Sequence, residues 1–352
     1  MNNSMKTKRL STFLHLLILA GLAAVETSCT RQLIGPDAPN TPVANFDQLW
    51  GEYDRMYGAF EPKKIDWQAA YQKYRPLVRD NMSDAELLKV MTQLLDVLDD
   101  NHVYLRPTTN TNLPWYAGGI LARTQVVDYD GGVVKKYLIE TKTYGNDLIY
   151  GKLAPTVGYL LLKGFENNIA YYPNAMDSVL AYMKELKGVV IDLRDNGGGE
   201  DRVAQYVANR FATEKHVSFT ARLRNGPRHT DFGPELRFYT QPEGRFQYTR
   251  PVVVLTNLTS YSSAETFMLA MLQNKNVTQV GDVTGGAFSD AVERELPNGW
   301  SFRVPIADVR DASGKNREGI GITPKIVVKN KPEELKAGRD KALEKAIELI
   351  LN

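Results

Sequence analysis

The run Val189-Val190-Ile191-Asp192-Leu193-Arg194-Asp195-Asn196-Gly197-Gly198-Gly199 decides how this chain is read. Its first half opens on the apolar, β-branched Val189-Val190-Ile191, the pattern of a strand buried on both faces. Its second half turns on successive glycines, and the helical pattern Asp201 to Phe211 follows. Strand, tight turn and helix make the building unit of a parallel sheet. Glycines at that turn free the backbone to aim amides at a ligand oxygen. A phosphate loop does not fit, because no Gly-Lys-Ser/Thr follows the glycines and there is no spaced dinucleotide fingerprint. Standing alone, the turn would be better explained by packing.

The same unit recurs further along. Val252 to Thr256 is a strand pattern, Asn257-Leu258-Thr259-Ser260-Tyr261-Ser262-Ser263 a short polar loop, and Ala264 to Leu272 a helix. Val157 to Leu162 and Tyr172 to Leu186 add another strand and another helix. This alternation predicts a mixed α/β core over residues 153–352, with a partly parallel sheet flanked by helices. Phe219 to Arg224 and Phe246 to Thr249 are predicted as strands of an added antiparallel part, and Glu333 to Leu351 as a closing helix. Ligands of open α/β sheets gather at the carboxyl ends of strands, where both loops lie. A serine at a helix start gains from the helix's partial positive charge, which favours a developing oxyanion, but serines there are also ordinary caps. By chemistry alone Ser260, Ser262 and Ser263 are equal.

Upstream of the core, residues 45–107 read as a helical segment. Its clearest helix opens on the capping box Ser83-Asp84-Ala85-Glu86 and carries the apolar face Leu87, Leu88, Val90, Met91, Leu94, Leu95 and Leu98. That helix ends near Asp99-Asp100-Asn101 and delivers His102 into a loop before Val103-Tyr104-Leu105. Residues 108–152 alternate short apolar runs with Gly and Asp turns, which predicts a β-hairpin-like insert.

The start of the chain has the marks of export. Lys6, Lys8 and Arg9 precede the apolar run Phe13 to Leu22, and Cys29, the sole cysteine, stands where a bacterial lipoprotein signal places its lipidated residue. Residues 1–28 are therefore expected to be a signal peptide, and 29–44, with Pro36, Pro39 and Pro42, a tether. The apolar run is short of the roughly 20 residues a spanning helix needs, so membrane attachment is expected through lipid on Cys29, in a bacterial envelope. Removing the signal takes Lys6, Lys8, Arg9 and Glu26 from totals of 43 basic and 41 acidic residues, which leaves 40 of each. A neutral chain does not fit a nucleic-acid partner. No metal or cofactor is expected, because paired cysteines and a His-Glu-x-x-His pattern are missing from the sequence.

The run Ile191 to Gly199 together with Ser260 to Glu265 resembles the two signature segments of the C-terminal-processing, or tail-specific, serine peptidases. The resemblance continues through Gly281-Asp282-Val283-Thr284-Gly285-Gly286 and Glu318-Gly319-Ile320-Gly321-Ile322-Thr323-Pro324. In that family the nucleophile lies three residues before the glutamate, which implies Ser262 in Ser262-Ser263-Ala264-Glu265. Serine-lysine members carry a lysine shortly after the second glycine-rich segment; here Ala287 stands there, beside Phe288, and Lys275 lies on the wrong side. A different base is required, since an unassisted serine hydroxyl is too weak an acid near neutral pH. The mature chain offers His102, His216 and His229. Leu98-Asp99-Asp100-Asn101-His102-Val103-Tyr104 is similar to the histidine segment of the tricorn-core branch, which implies His102 as base and Glu318 as the orienting carboxylate.

The expected oxyanion donors are the amide of Gly197 or Gly198 and that of Ser263. His216 and His229 are expected on a surface hairpin, and Asp192 and Arg194 in structural contacts under the glycine loop. Family members often insert a PDZ domain, but residues 108–152 are too short for one of the usual size. The implied activity is hydrolysis of envelope or periplasmic polypeptides. A retired peptidase scaffold that binds peptides or hydrophobic ligands is the alternative from another class, and an esterase or amidase a third.

Overall fold

The computed structural model describes residues 39–145, 148–166 and 168–352. The expected signal peptide, Cys29 and most of the expected tether lie outside the described residues. The N-terminal part holds α1 (Pro42–Met56), α2 (Phe60–Lys63), α3 (Trp67–Tyr74) and α4 (Asp84–Leu95). The first helix starts earlier than the sequence suggests: Thr41 caps it through Ala44 N at 3.3 Å and Pro42 fills its first turn, so residues 42–44 are helix rather than tether. Ser83 and Glu86 form the expected capping box of α4, and its apolar face is buried.

The chain then runs through β1 (Tyr104–Arg106), β2 (Tyr116–Ala117), α5 (Gly119–Arg123), α6 (Gly131–Tyr137), β3 (Glu140–Tyr144) and β4 (Leu148–Ala154). Residues 108–152 are thus not a hairpin-like insert. Asp130 caps α6 through Gly132 and Val133 amides, and the β3–β4 hairpin belongs to the main sheet. The Gly131-Gly132 pair that suggested a turn lies in the first turn of a helix.

The core follows as β5 (Val157–Leu162), α7 (Tyr172–Met183), β6 (Gly188–Asp192), α8 (Asp201–Asn209), β7 (His216–Leu223), β8 (Leu236–Thr240), β9 (Val252–Thr256), α9 (Ser263–Met271) and β10 (Val277–Gly281). It ends with β11 (Ala291–Glu295), β12 (Ser301–Pro305), β13 (Ala307–Asp311), β14 (Ile326–Val327), α10 (Pro332–Lys336) and α11 (Lys341–Leu351). The seven-stranded sheet has the order β14-β10-β9-β6-β5-β4-β3, parallel from β14 to β5 and antiparallel from β5 to β3.

Strand alternation explains why its central strands are apolar throughout. Val189, Ile191, Val252 and Val254 pack under α7, α8 and α9, while Val190, Val253 and Leu255 pack against α6 and α11 on the other face. A smaller sheet, β13-β7-β8, is antiparallel. Phe246 to Thr249 form no strand; the Tyr248 amide bonds Arg210 O instead. The expected closing helix is two helices, broken at Gly338 (φ 78) and restarted by the Asp340 cap.

What positions the site is the sheet β11-β12-β1-β2. β1, from the helical segment, pairs antiparallel with β12, Tyr104 opposite Arg303, and Trp300, Phe302 and Val304 fill the same core as Phe46, Leu49, Trp67 and Leu94. Among the described residues no helix is long and apolar enough to cross a membrane.

Candidate active site

Each of the three loop serines has its own environment. Ser260 Oγ donates to Leu193 O at 2.8 Å and accepts from Asn257 N at 3.1 Å. Ser263 Oγ donates to Gly199 O at 2.8 Å. Ser262 sits before α9 at φ 61, ψ −128 and its hydroxyl makes no capping bond. That backbone conformation costs a non-glycine residue on the order of 1–3 kcal/mol and persists only where the surroundings impose it. Here the Ser262 amide is held by Ala287 O at 3.0 Å, and Gly198 (φ 93) packs so closely that a Cβ on it would lie 2.7 Å from Ser262 Cβ.

The segment 285–289 is a strap that touches Ser262, Glu265, Glu318 and the loop bearing His102. Gly286 and Ala287 donate their amides to the Glu265 carboxylate at 2.9 and 2.7 Å. Phe288 and Ser289 donate theirs to Glu318 Oε2 at 2.9 and 3.2 Å. Gly285 O accepts from Asn101 Nδ2 at 2.9 Å, which ties the His102 loop to the strap, and the Ser289 backbone meets the His102 ring. The His102 and Tyr261 ring centroids are 6.5 Å apart, so the histidine stands over the residue before Ser262.

His216 opens β7, and His229 stacks on Phe60 at 4.1 Å while bonding Asp54, so His102 is the histidine gathered with Ser262 and Glu318. Ala287, where the resemblance would lead one to expect a lysine, is fully buried. Lys275 lies beyond the far end of α9, a helix about 13 Å long.

His102 and Glu318 are not hydrogen-bonded to each other. His102 Nδ1 and Glu318 Oε1 are both buried without a partner. Burial holds the His102 ring neutral, lowering its pKa to about 4 against the opposing field of Asp100. Burial also pushes the Glu318 carboxyl well above its ordinary range, and the Asp100 charge adds to that.

Asp100, which residue types alone did not mark, is 1% exposed; its Oδ1 accepts the His102 amide at 2.8 Å and its Oδ2 the Tyr57 hydroxyl at 2.7 Å. Glu265 entered the sequence reading only as the mark that sets the register of Ser262, not as a residue of the site. Its signal lay in plain view, as the one charged residue in the apolar helix α9. Burial raises its pKa to about 7, although Thr284 and the strap amides favour the carboxylate.

The glycine loop supplies donors selectively. Gly198 N donates to Asn196 Oδ1 at 2.8 Å, while the amides of Gly197 and Ser263 bond to no acceptor among the described residues. Asn196, itself buried, is anchored by Leu162 O at 2.9 Å. Beneath the loop, Arg194 is paired with Asp192 at 2.7 Å and Asp340 at 2.9 Å, all buried. Among the described residues no group of three or more His, Cys, Asp or Glu side chains could hold a metal ion.

Residues 156–328 match the model of peptidase family S41, and residues 40–96 that of the Tricorn protease C1 domain. The chain is 32% identical to a candidate peptidase of Parabacteroides merdae of known structure, over 89% of this chain and 98% of that one, with a TM-score of 0.81. It is 30% identical to a carboxy-terminal-processing protease of Bartonella bacilliformis and 25% identical to one of Bacillus subtilis, over 53% of this chain in each case. The matches span 42% and 38% of the length of those two relatives. By sequence and by fold, the chain belongs to peptidase family S41.

Proposed function

We propose that this protein is a serine peptidase that cleaves exported polypeptides in a bacterial envelope, with Ser262 as nucleophile, His102 as general base and Glu318 as the carboxyl that orients it. The observation that carries this reading is the strap: a single run of backbone fixes Ser262 through Ala287, Glu318 through Phe288 and Ser289, and the His102 loop through Gly285. In the proposed reaction neutral His102 takes the Ser262 proton as Oγ attacks the peptide carbonyl. The oxyanion is received by the amides of Gly197 and Ser263, and His102 then protonates the leaving amine. The neutral ring is the form a base must have, and burial supplies it. Labelling with a serine-reactive phosphonate, followed by mass mapping, tests the reading; modification at Ser262 that is lost in Ser262→Ala is expected. No labelling of any serine would leave this chain a member of the family without a reactive serine, and the peptidase reading would fall.

One observation favours the second reading, a retired scaffold that binds peptides or hydrophobic ligands. His102 Nδ1 and Glu318 Oε1 each stay buried without a partner, at a cost of about 1–3 kcal/mol apiece. In the peptidase reading the two atoms close on each other when substrate fills the site, as catalytic hydrogen bonds do in many enzymes that are loose when empty. In the other reading they never meet. A structure with a covalent phosphonate on Ser262 separates the two.

A further inference from the structure

A cavity of about 340 Å³ is lined by residues of the glycine loop, of α9 and of the strap that holds Ser262. One wall is made of Gly199, whose carbonyl holds Ser263 Oγ, Thr266, one turn along α9, and Phe288, next to the alanine that fixes the Ser262 amide. The floor is apolar, formed by Phe219 of β7 and Phe238 of β8 with their rings stacked at 4.4 Å. The rim is acidic, formed by Glu200, Asp201 and Asp290.

The charges at that rim are unequally answered. Glu200 is paired with Arg202 at 3.0 Å, and Asp201 Oδ1 accepts the Thr266 hydroxyl at 2.8 Å. The Asp290 carboxylate has no ion-pair partner among the described residues. Its pKa is raised by lost hydration and by the charges of Asp201 and Glu200, with Arg303 the cation whose field opposes them. The cavity continues into a second of about 320 Å³ that shares Asp201, Phe219 and Phe238 and adds Glu243. Both have the volume of ordinary ligand sites.

We propose that the first cavity receives the substrate side chain flanking the bond to be cut and selects lysine or arginine there. The methylene stem lies on Phe219 and Phe238, and the cationic end reaches Asp290 and Asp201. An apolar side chain would cover the floor but leave the rim carboxylates dehydrated and unpaired, and an acidic one would add to their repulsion. This inference rests on the peptidase reading and names its substrate class.

The test uses internally quenched peptides that differ at one position, Lys, Arg, Leu or Glu, with cuts located by mass spectrometry. The expected result is a kcat/KM at least about tenfold higher for Lys or Arg than for Glu, with the basic residue beside the cut. Asp290→Asn should erase most of that ratio, chiefly by lowering kcat/KM for the Lys and Arg peptides. A second arm measures binding of the same labelled peptides to Ser262→Ala by fluorescence anisotropy, where the same order is expected without chemistry. Equal binding of Lys, Leu and Glu peptides, or a preference unchanged in both Asp290→Asn and Asp201→Asn, overturns the assignment. Should the wild type cut nothing while the anisotropy order holds and depends on Asp290, the pocket stands and the peptidase reading fails.

Discussion

The carboxylate of Glu265 accepts the backbone amide of Ala287 at 2.7 Å, and the carbonyl of that same alanine accepts the amide of Ser262 at 3.0 Å. Glu265, in the first turn of α9, therefore fixes Ser262 twice, through Ala287 and through its own amide, which donates to Ser262 O at 2.7 Å. The carboxylate needs both oxygens, since Thr284 and Gly286 occupy the other one.

Glu265→Gln replaces one acceptor with an amide that faces another N–H. The expected outcome is a stability loss of about 1–3 kcal/mol in chemical denaturation, with slower phosphonate labelling of Ser262. Unchanged labelling in a destabilised variant would show that the strap holds the fold and not the serine.

The three serines should separate on substitution. Ser262→Ala removes an oxygen that makes no capping bond, so hydrolysis is expected to vanish with the melting temperature unchanged. Ser260→Ala deletes bonds to Leu193 O and Asn257 N and is expected to cost about 1 kcal/mol of stability while retaining activity. Ser263→Ala keeps its amide and should also remain active.

Gly198→Ala is expected to reduce turnover by about a hundredfold to a thousandfold, comparable with the loss of an oxyanion donor. The new Cβ would lie 2.7 Å from Ser262 Cβ and 2.8 Å from Ser263 N, so it displaces nucleophile and donor together. KM should change far less than kcat; the reverse pattern in steady-state kinetics would place the glycine in substrate binding.

The His102 ring is lowered from 6.5 to about 4 in the folded chain. A depressed pKa means that the folded state resists protonation, so the associated stability is present above pH 6.5 and is lost as pH falls towards 4. The difference between wild type and His102→Asn should therefore shrink by an amount on the order of 3 kcal/mol across that window. The acidic limb of kcat/KM should likewise fall below the ordinary histidine value. An inflection at 6.5 or above would mean that the working ring is not buried and neutral. Glu265 and Glu318, both raised, act in the opposite direction, which is why the comparison is made against the single variant.

Lipid on Cys29 is tested by mass spectrometry of the mature N-terminal peptide and by detergent partitioning. Wild type is expected in the detergent phase and Cys29→Ser in the aqueous phase. Equal partitioning would replace the anchor by simple secretion.

The centre of the main sheet was readable in the sequence because its strands are buried on both faces: Val157 to Leu162 and Val252 to Thr256 are strands to the residue. A capping box or a glycine turn is likewise a local signature. The strap is different, since its bonds run from backbone amides to Glu265 and Glu318, and an amide has no side chain to announce it. The β1–β12 pairing was hidden for a related reason, because short strands from opposite ends of the chain carry no mark of their partner. Residues 108–152 were misread where Asp and Gly, ordinary turn residues, instead open the helix α6.

The Tyr104–Arg303 register has a temporal side. On the ribosome the loop bearing His102 emerges long before β12, the strand that holds it in place; at about 5–20 residues per second the wait is roughly ten to forty seconds. Through that interval His102 has no fixed seat, and for most of it the strap that holds Ser262 has not been made. If the proposed peptidase reading holds, a chain built in this order gains its activity only when almost all of it exists, and a product truncated before β12 would be inactive.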